Sequence, residues 1–236
     1  MPGVVDHRWS PNERDWVRLE ARLDRLYRAE MSINATTANL HRLARTAPVD
    51  TIQSTGGVRI RSDFVYLAEA APGGASDRRA PKREHRPPST RLMSPRGVAL
   101  RLMLTALFEA QVRTRPGDQP GNERPLDQAP HGQLAWIDLL ATDAQDAAAG
   151  KTAMTQQDKK RRHLGSALNT LFKADLVALP HRGDARNKHR GFLPKCEGGA
   201  RAGANVLYTV PRRSDEFFVV PATLFTHGWI NVALRS

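Results

Sequence analysis

Between residues 155 and 190 the chain reads TQQDKKRRHLGSALNTLFKADLVALPHRGDARNKHR, and the side chains in it that could do chemistry recur at helical spacing. At 100° per residue Lys159, Arg162, Ser166, Asn169, Thr170 and Lys173 gather on one face, while Leu164, Ala167, Leu168, Leu171 and Phe172 gather on the other. The polar face is an array of hydrogen-bonding groups. Arg presents two N–H groups that match the edge of guanine, Asn matches adenine, and Ser and Thr adapt to either. Lys at the two ends suits phosphates, which position a helix without reading sequence. Downstream, Arg182, Arg186, Lys188 and Arg190 fall in a polar loop between the apolar runs ADLVALP and FLP, and are phosphate candidates too.

Such a face needs a helix to carry it and a core to hold that helix. Thr155 followed three residues later by Asp158 forms a capping box with Asp in place of Glu, which predicts a helix from Gln156 to Ala174. Further back, Ser94 as a cap and Pro95 at the first helical position predict a helix from Pro95 to Val112. Its residues Val98, Leu100, Leu102, Met103, Leu104, Leu107 and Phe108 cover so broad a surface that it must be largely buried. The run QLAWIDLLA predicts a short second helix from Gln133 to Ala141. Two polar stretches, RTRPGDQPGNERPLDQAPHG and the Ala-rich TDAQDAAAGKTA, separate these elements.

A buried first helix, a short second one, a basic third helix ending in LFKADLVAL and a basic loop between two strands resemble the winged-helix family of helix-turn-helix DNA-binding proteins. The resemblance is one of element order and covers residues 94–196. It implies that the third helix enters the major groove while the loop, the wing, contacts backbone or minor groove. The family usually joins its helices by short turns. Here about twenty and about fourteen residues intervene, so either these are surface insertions or the helices are paired differently.

Charge placement agrees with a polyanionic partner. The whole chain carries 36 Lys and Arg against 24 acidic residues, a formal +12, but with only seven Lys that bias could reflect genome composition. Position is more telling. Residues 151–196 hold eleven cations against three Asp and no Glu, a net +8 in about a fifth of the chain.

Other function classes find little support. Cys196 is the single cysteine, which excludes an intrachain disulfide and four-thiolate zinc sites and fits a reducing cytoplasm. His181 and His189 flank a loop seven residues before Cys196 and beyond, but one thiol in an Arg-rich setting is poor for a cation. No phosphate-binding Gly-rich loop and no nucleophile elbow occurs, and Asp138 and Asp143 are isolated acids rather than a nuclease pair. No catalytic residue, cofactor or metal is expected. No run is apolar enough for a signal peptide or a membrane span.

In the remaining sequence, Trp16, Leu19, Leu23 and Leu26 recur at spacings of three and four within a helix predicted over residues 12–46, with Asn12 as cap. The seam meets Glu30 and Thr37 and weakens before three heptads accumulate, leaving a docking helix and a homodimer seam both open. A strand is predicted from Val58 toward Leu67, and residues 71–93 form a basic, Pro-rich linker. The C-terminal FFVVP reads as a strand; the apolar segment around Phe225, Trp229, Ile230 and Leu234 either packs back on the core or leads into a further region.

The expected organisation is therefore a mostly helical α+β protein: a helical arm over residues 1–70, a linker over 71–93, and a winged-helix domain with a C-terminal extension over 94–236. The expected function is sequence-specific binding of double-stranded DNA by a cytoplasmic transcriptional regulator. The alternatives are a plasmid or phage replication initiator and, further off, an enzyme acting on nucleic acid.

Overall fold

The computed structural model describes residues 13–49, 51–66, 86–92, 97–121, 123–130, 132–141, 155–184, 190–203 and 205–233. In chain order the elements are α1 (Glu13–Arg45), α2 (Thr51–Thr55), β1 (Gly57–Arg61), α3 (Pro88–Arg91), α4 (Val98–Arg113), β2 (Arg124–Pro125), α5 (Gln156–Lys173), β3 (Val177–Ala178), β4 (Gly191–Pro194), β5 (Phe217–Pro221), α6 (Thr223–Thr226) and α7 (Trp229–Ala233). The class is α+β, with the strands confined to short runs.

Helix α4 is the centre of the core, and it buries even its polar stripe of Arg101, Thr105 and Glu109. Apart from Val98, Leu104 and Arg113 all its residues are buried. Helices α1, α2 and α5 and strands β1 and β4 all pack against it. Its start differs from the predicted one. Gly97 precedes the helix at φ 62°, a left-handed conformation open to glycine, so the helix begins at Val98; Ser94 and Pro95 lie outside the described residues. Of its buried polar groups, Glu109 accepts from Arg124 Nη2 at 2.8 Å and pairs with Arg113 Nε at 2.8 Å, and Gln111 bonds to both backbone groups of Arg59.

Two small antiparallel sheets flank this helix. One is three-stranded in the order β2-β4-β3, with Arg124 opposite Phe192 and Val177 opposite Pro194. Strand β2 falls inside the polar stretch that separates the first two predicted helices. The other sheet pairs β1 with β5, Gly57 opposite Pro221 through Arg61 opposite Phe217. Gly57 is required there, since a Cβ would lie 2.2 Å from the Val220 carbonyl oxygen. β1 ends sooner than predicted: Ser62–Phe64 form a 3-10 turn that buries Phe64 and leaves Val65 and Tyr66 exposed.

The predicted second helix, Gln133 to Ala141, is a single 3-10 turn over Trp136–Asp138. Leu134, Ala135, Trp136, Ile137, Leu139, Leu140 and Ala141 are all buried. With no polar face to give solvent, the segment threads through the core instead of lying on it as an amphipathic helix. Asp138 closes the turn by accepting the Ala135 N–H at 2.9 Å, and Trp136 stacks on Phe192 of β4 with centroids 4.8 Å apart.

The C-terminal segment packs back on the core. Phe225 of α6 stacks on Phe108 of α4 at 4.7 Å, and Gly228, at φ 75°, brings the α6–α7 turn against Thr37 of α1. Helix α1 docks through its second half, where Ala29, Thr36 and Leu40 are buried and Asn39 Nδ2 donates to the Asp138 carbonyl at 3.0 Å. From Trp16 to Arg28 no described side chain is buried or even half-buried.

Candidate nucleic-acid interface

Helix α5 has the ends its sequence dictates. Thr155 Oγ1 accepts the Asp158 N–H at 3.1 Å, and the Thr155 hydroxyl lies 2.6 Å from the Asp158 carboxylate, to which it donates. An acid in the first turn also suits the positive end of the helix dipole. At the other end Asp175 takes φ 59°, the Leu176 N–H donates to the Leu171 carbonyl at 3.0 Å, and the Asp175 N–H donates to the Phe172 carbonyl at 3.0 Å. This is a Schellman turn with Asp in the position glycine usually holds. Lys195, itself buried, reaches the Asp175 carboxylate and donates to Asn205 Oδ1 at 3.0 Å. Lys195 therefore does not belong to the surface charge the sequence suggests.

The cation run 159–162 divides between two jobs. Arg161 Nε lies 2.8 Å from Asp127, tying the helix to the segment after β2. Lys160 is half-buried; burial depresses its pKa, partly opposed by Asp138 in the 3-10 turn. Lys159 and Arg162 lie on the other side, away from the core contacts of Leu164, Leu168 and Leu171. Arg162, Ser166 and Lys173 are exposed, and Lys159, Asn169 and Thr170 are half-buried on the same face. Thr170 Oγ1 donates back to the Ser166 carbonyl at 3.1 Å, so its proton is used within the helix and it turns lone pairs and a methyl outward.

Of the connection between β3 and β4, residues 179–184 and 190 are described, and it meets α5 at Phe172, outside the polar face. Arg182 is exposed, and its guanidinium carbon lies 4.2 Å from the ring centroid of Phe172. A cation over an aromatic face is attracted by the ring quadrupole, and here that contact fixes the base of the loop to the last turn of α5. Arg190, also exposed, is held through its carbonyl, which accepts the Leu126 N–H at 2.9 Å. Arg186 and Lys188 lie outside the described residues. Between α5, β2 and the loop runs an open groove in which His181 Nε2 sits 3.4 Å from Glu123 Oε2. Each carboxylate in it therefore faces a basic group.

A second charged cluster escaped the sequence reading. Arg61 of β1 donates to Glu197 at 2.7 Å and to Thr209 at 3.1 Å, and lies 3.2 Å from Asp215. Glu197 is fully enclosed. Burial raises its pKa although Arg61 pulls the other way. Burial likewise pushes up the neighbouring Tyr208 hydroxyl and the Cys196 thiol. Arg61 bonds to Glu197 and Thr209 and pairs with Asp215, so the cluster is a tie between β1 and the segment after β4. The partners are more than a hundred residues apart in sequence, and no local pattern announces them.

Among the described residues no group of three or more His, Cys, Asp or Glu could hold a metal ion, and no helix is long and apolar enough to cross a membrane. No protein-family model matches the chain, and neither does any curated protein or any solved structure.

Proposed function

We propose that the chain is a sequence-specific double-stranded DNA-binding protein of the winged-helix type, acting as a transcriptional regulator. The observation that carries this is the strand order β2-β4-β3 combined with the chain order α4, β2, a 3-10 turn, α5, β3, loop, β4. A strand between α4 and α5 pairs with the strand after the loop, and Arg182 near the start of that loop packs on Phe172 in the last turn of α5. That arrangement supports α5 as the element entering the major groove and the 181–191 segment as the wing. The long first connection, which departs from the family's short turns, contributes β2 to this sheet. The second helix is reduced to one turn.

In this reading Arg162, Ser166, Asn169 and Thr170 face base edges, and Lys159, Lys173, Arg182, Arg186, Lys188 and Arg190 meet phosphates. Six phosphate contacts give a slope of log K against log salt of about −5, because each neutralised phosphate releases counterions. The test is a fluorescence-anisotropy titration of duplex fragments at several salt concentrations. Binding with that slope and with a preferred fragment is expected. Failure to bind any duplex at low salt overturns the reading.

A further inference from the structure

We propose that the projecting half of α1 pairs with the same segment of a second copy of this chain. From Trp16 to Arg28 every described residue is exposed, whereas Ala29, Thr36 and Leu40 are buried against the body. About 20 Å of helix, at 1.5 Å per residue, thus keeps its described side chains exposed. It is not a polar extension. Trp16, Leu19, Leu23, Leu26, Tyr27 and Met31 are between 37% and 62% exposed.

These side chains form a surface of their own. At 100° per residue the seam of Trp16, Leu19, Leu23 and Leu26 is turned by about 100° from the line of Ala29, Thr36 and Leu40. The body-docking face, extended along the same line, meets Arg18 and Arg22 instead. The contacts that bury Ala29, Thr36 and Leu40 thus leave the seam exposed.

Area identifies the occupant. Together the six side chains expose on the order of 700 Å², above the few hundred Å² that monomers usually leave in one apolar patch. It is close to the ~800 Å² that each partner of a standard interface covers. Spacings of three and four are the a and d positions of a coiled coil, and such a seam is complementary to a copy of itself under a two-fold axis. Glu30, at the next a position, ends it where the helix meets the body. The root of α1 is fastened to the core through Asn39 and Asp138, so two paired arms hold two bodies in one relative placement.

This pairing does not depend on the proposed function, because it is measured without nucleic acid. Light scattering and sedimentation of the full chain at micromolar concentrations are expected to give twice the 26.2 kDa chain mass. Leu23→Glu with Leu26→Glu is expected to give the single-chain mass with an unchanged melting temperature, and Val17→Glu, away from the seam, to leave the double mass. Should the added charges unwind the helix by circular dichroism, Leu23→Ala with Leu26→Ala keeps helix propensity and is expected to weaken the dimer about tenfold or more. A wild-type chain of single mass overturns the proposal. So does a double mass retained by the seam variants, or a seam variant that melts earlier without any change of mass, which would mean the seam is covered by its own chain.

Discussion

The side-chain amide of Gln111 takes the place of a neighbouring strand beside Arg59. Its Oε1 accepts the Arg59 N–H at 2.9 Å, and its Nε2 donates to the Arg59 carbonyl at 2.7 Å and to the Tyr208 hydroxyl at 2.8 Å. Among the described residues β1 is bonded to β5 along one edge, and on the other Gln111 serves both backbone groups of Arg59 while Thr55 and Glu197 serve Gly57 and Arg61. Gln111→Leu removes the partner of two buried backbone groups, each of which costs about 1–3 kcal/mol when left unsatisfied. Urea unfolding is expected to show a loss of roughly 2–4 kcal/mol on that basis. Gln111→Glu, which turns a carboxylate toward the Arg59 carbonyl, is expected to lose at least as much.

The enclosed Glu197 sets a pH dependence of known sign. Its folded-state pKa lies above the ordinary 4.5 because burial disfavours the charge. The folded protein therefore holds that proton more tightly than the unfolded chain, and the associated stability is present below about pH 4.5 and lost as pH rises through the raised value. Glu197→Gln has no proton to lose. The stability of wild type relative to this variant is expected to decline as pH is raised from 4.5 in parallel urea titrations; a flat or rising difference would contradict the raised pKa.

Reading and holding should separate on α5. Arg162→Ala is expected to cost about 1–3 kcal/mol on a preferred duplex and to blur its preference, while Lys173→Ala weakens all duplexes alike and lowers the salt slope by about one. Competition binding on preferred and scrambled duplexes checks the contrast. Equal losses on both duplexes for both variants would make the helix an electrostatic anchor.

Gly228 controls the docking of α1. Its φ of 75° is left-handed, and an added Cβ would lie 2.2 Å from Thr37 Oγ1. Gly228→Ala is expected to destabilise by about 2 kcal/mol or more, since left-handed strain alone is worth about 1–2 kcal/mol. Hydrogen exchange of α1 amides is expected to accelerate near Thr37 before it does so in α4.

The parts of this molecule legible in its sequence are those whose causes are local. Thr155 and Asp158 mark the start of α5 within one turn, and the 3.6-residue period separates Arg162 and Ser166 from Leu164 and Leu168. The same period placed Lys159 apart from Lys160 and Arg161, which the fold turns toward Asp138 and Asp127. β2 was not legible because two residues, Arg124 and Pro125, carry no alternation; they are strand only because β4 lies beside them. Trp136 to Ala141 misled because an apolar run without a polar face fits a buried helix and a buried turn equally well. Lys195 counts as surface charge until Asp175 and Asn205 arrive from other segments.

The register that joins Gly57–Arg61 to Phe217–Pro221 also imposes an order on synthesis. A ribosome adds about 5–20 residues per second, so β1 emerges roughly 10–30 s before the strand it pairs with exists. During that interval Val58 and Ile60, both buried in the finished fold, sit on an open strand edge of the kind that recruits other chains. Nascent chains halted before Phe217 are thus expected to depend on chaperones to stay dispersed, whereas chains that have cleared Pro221 close that edge themselves.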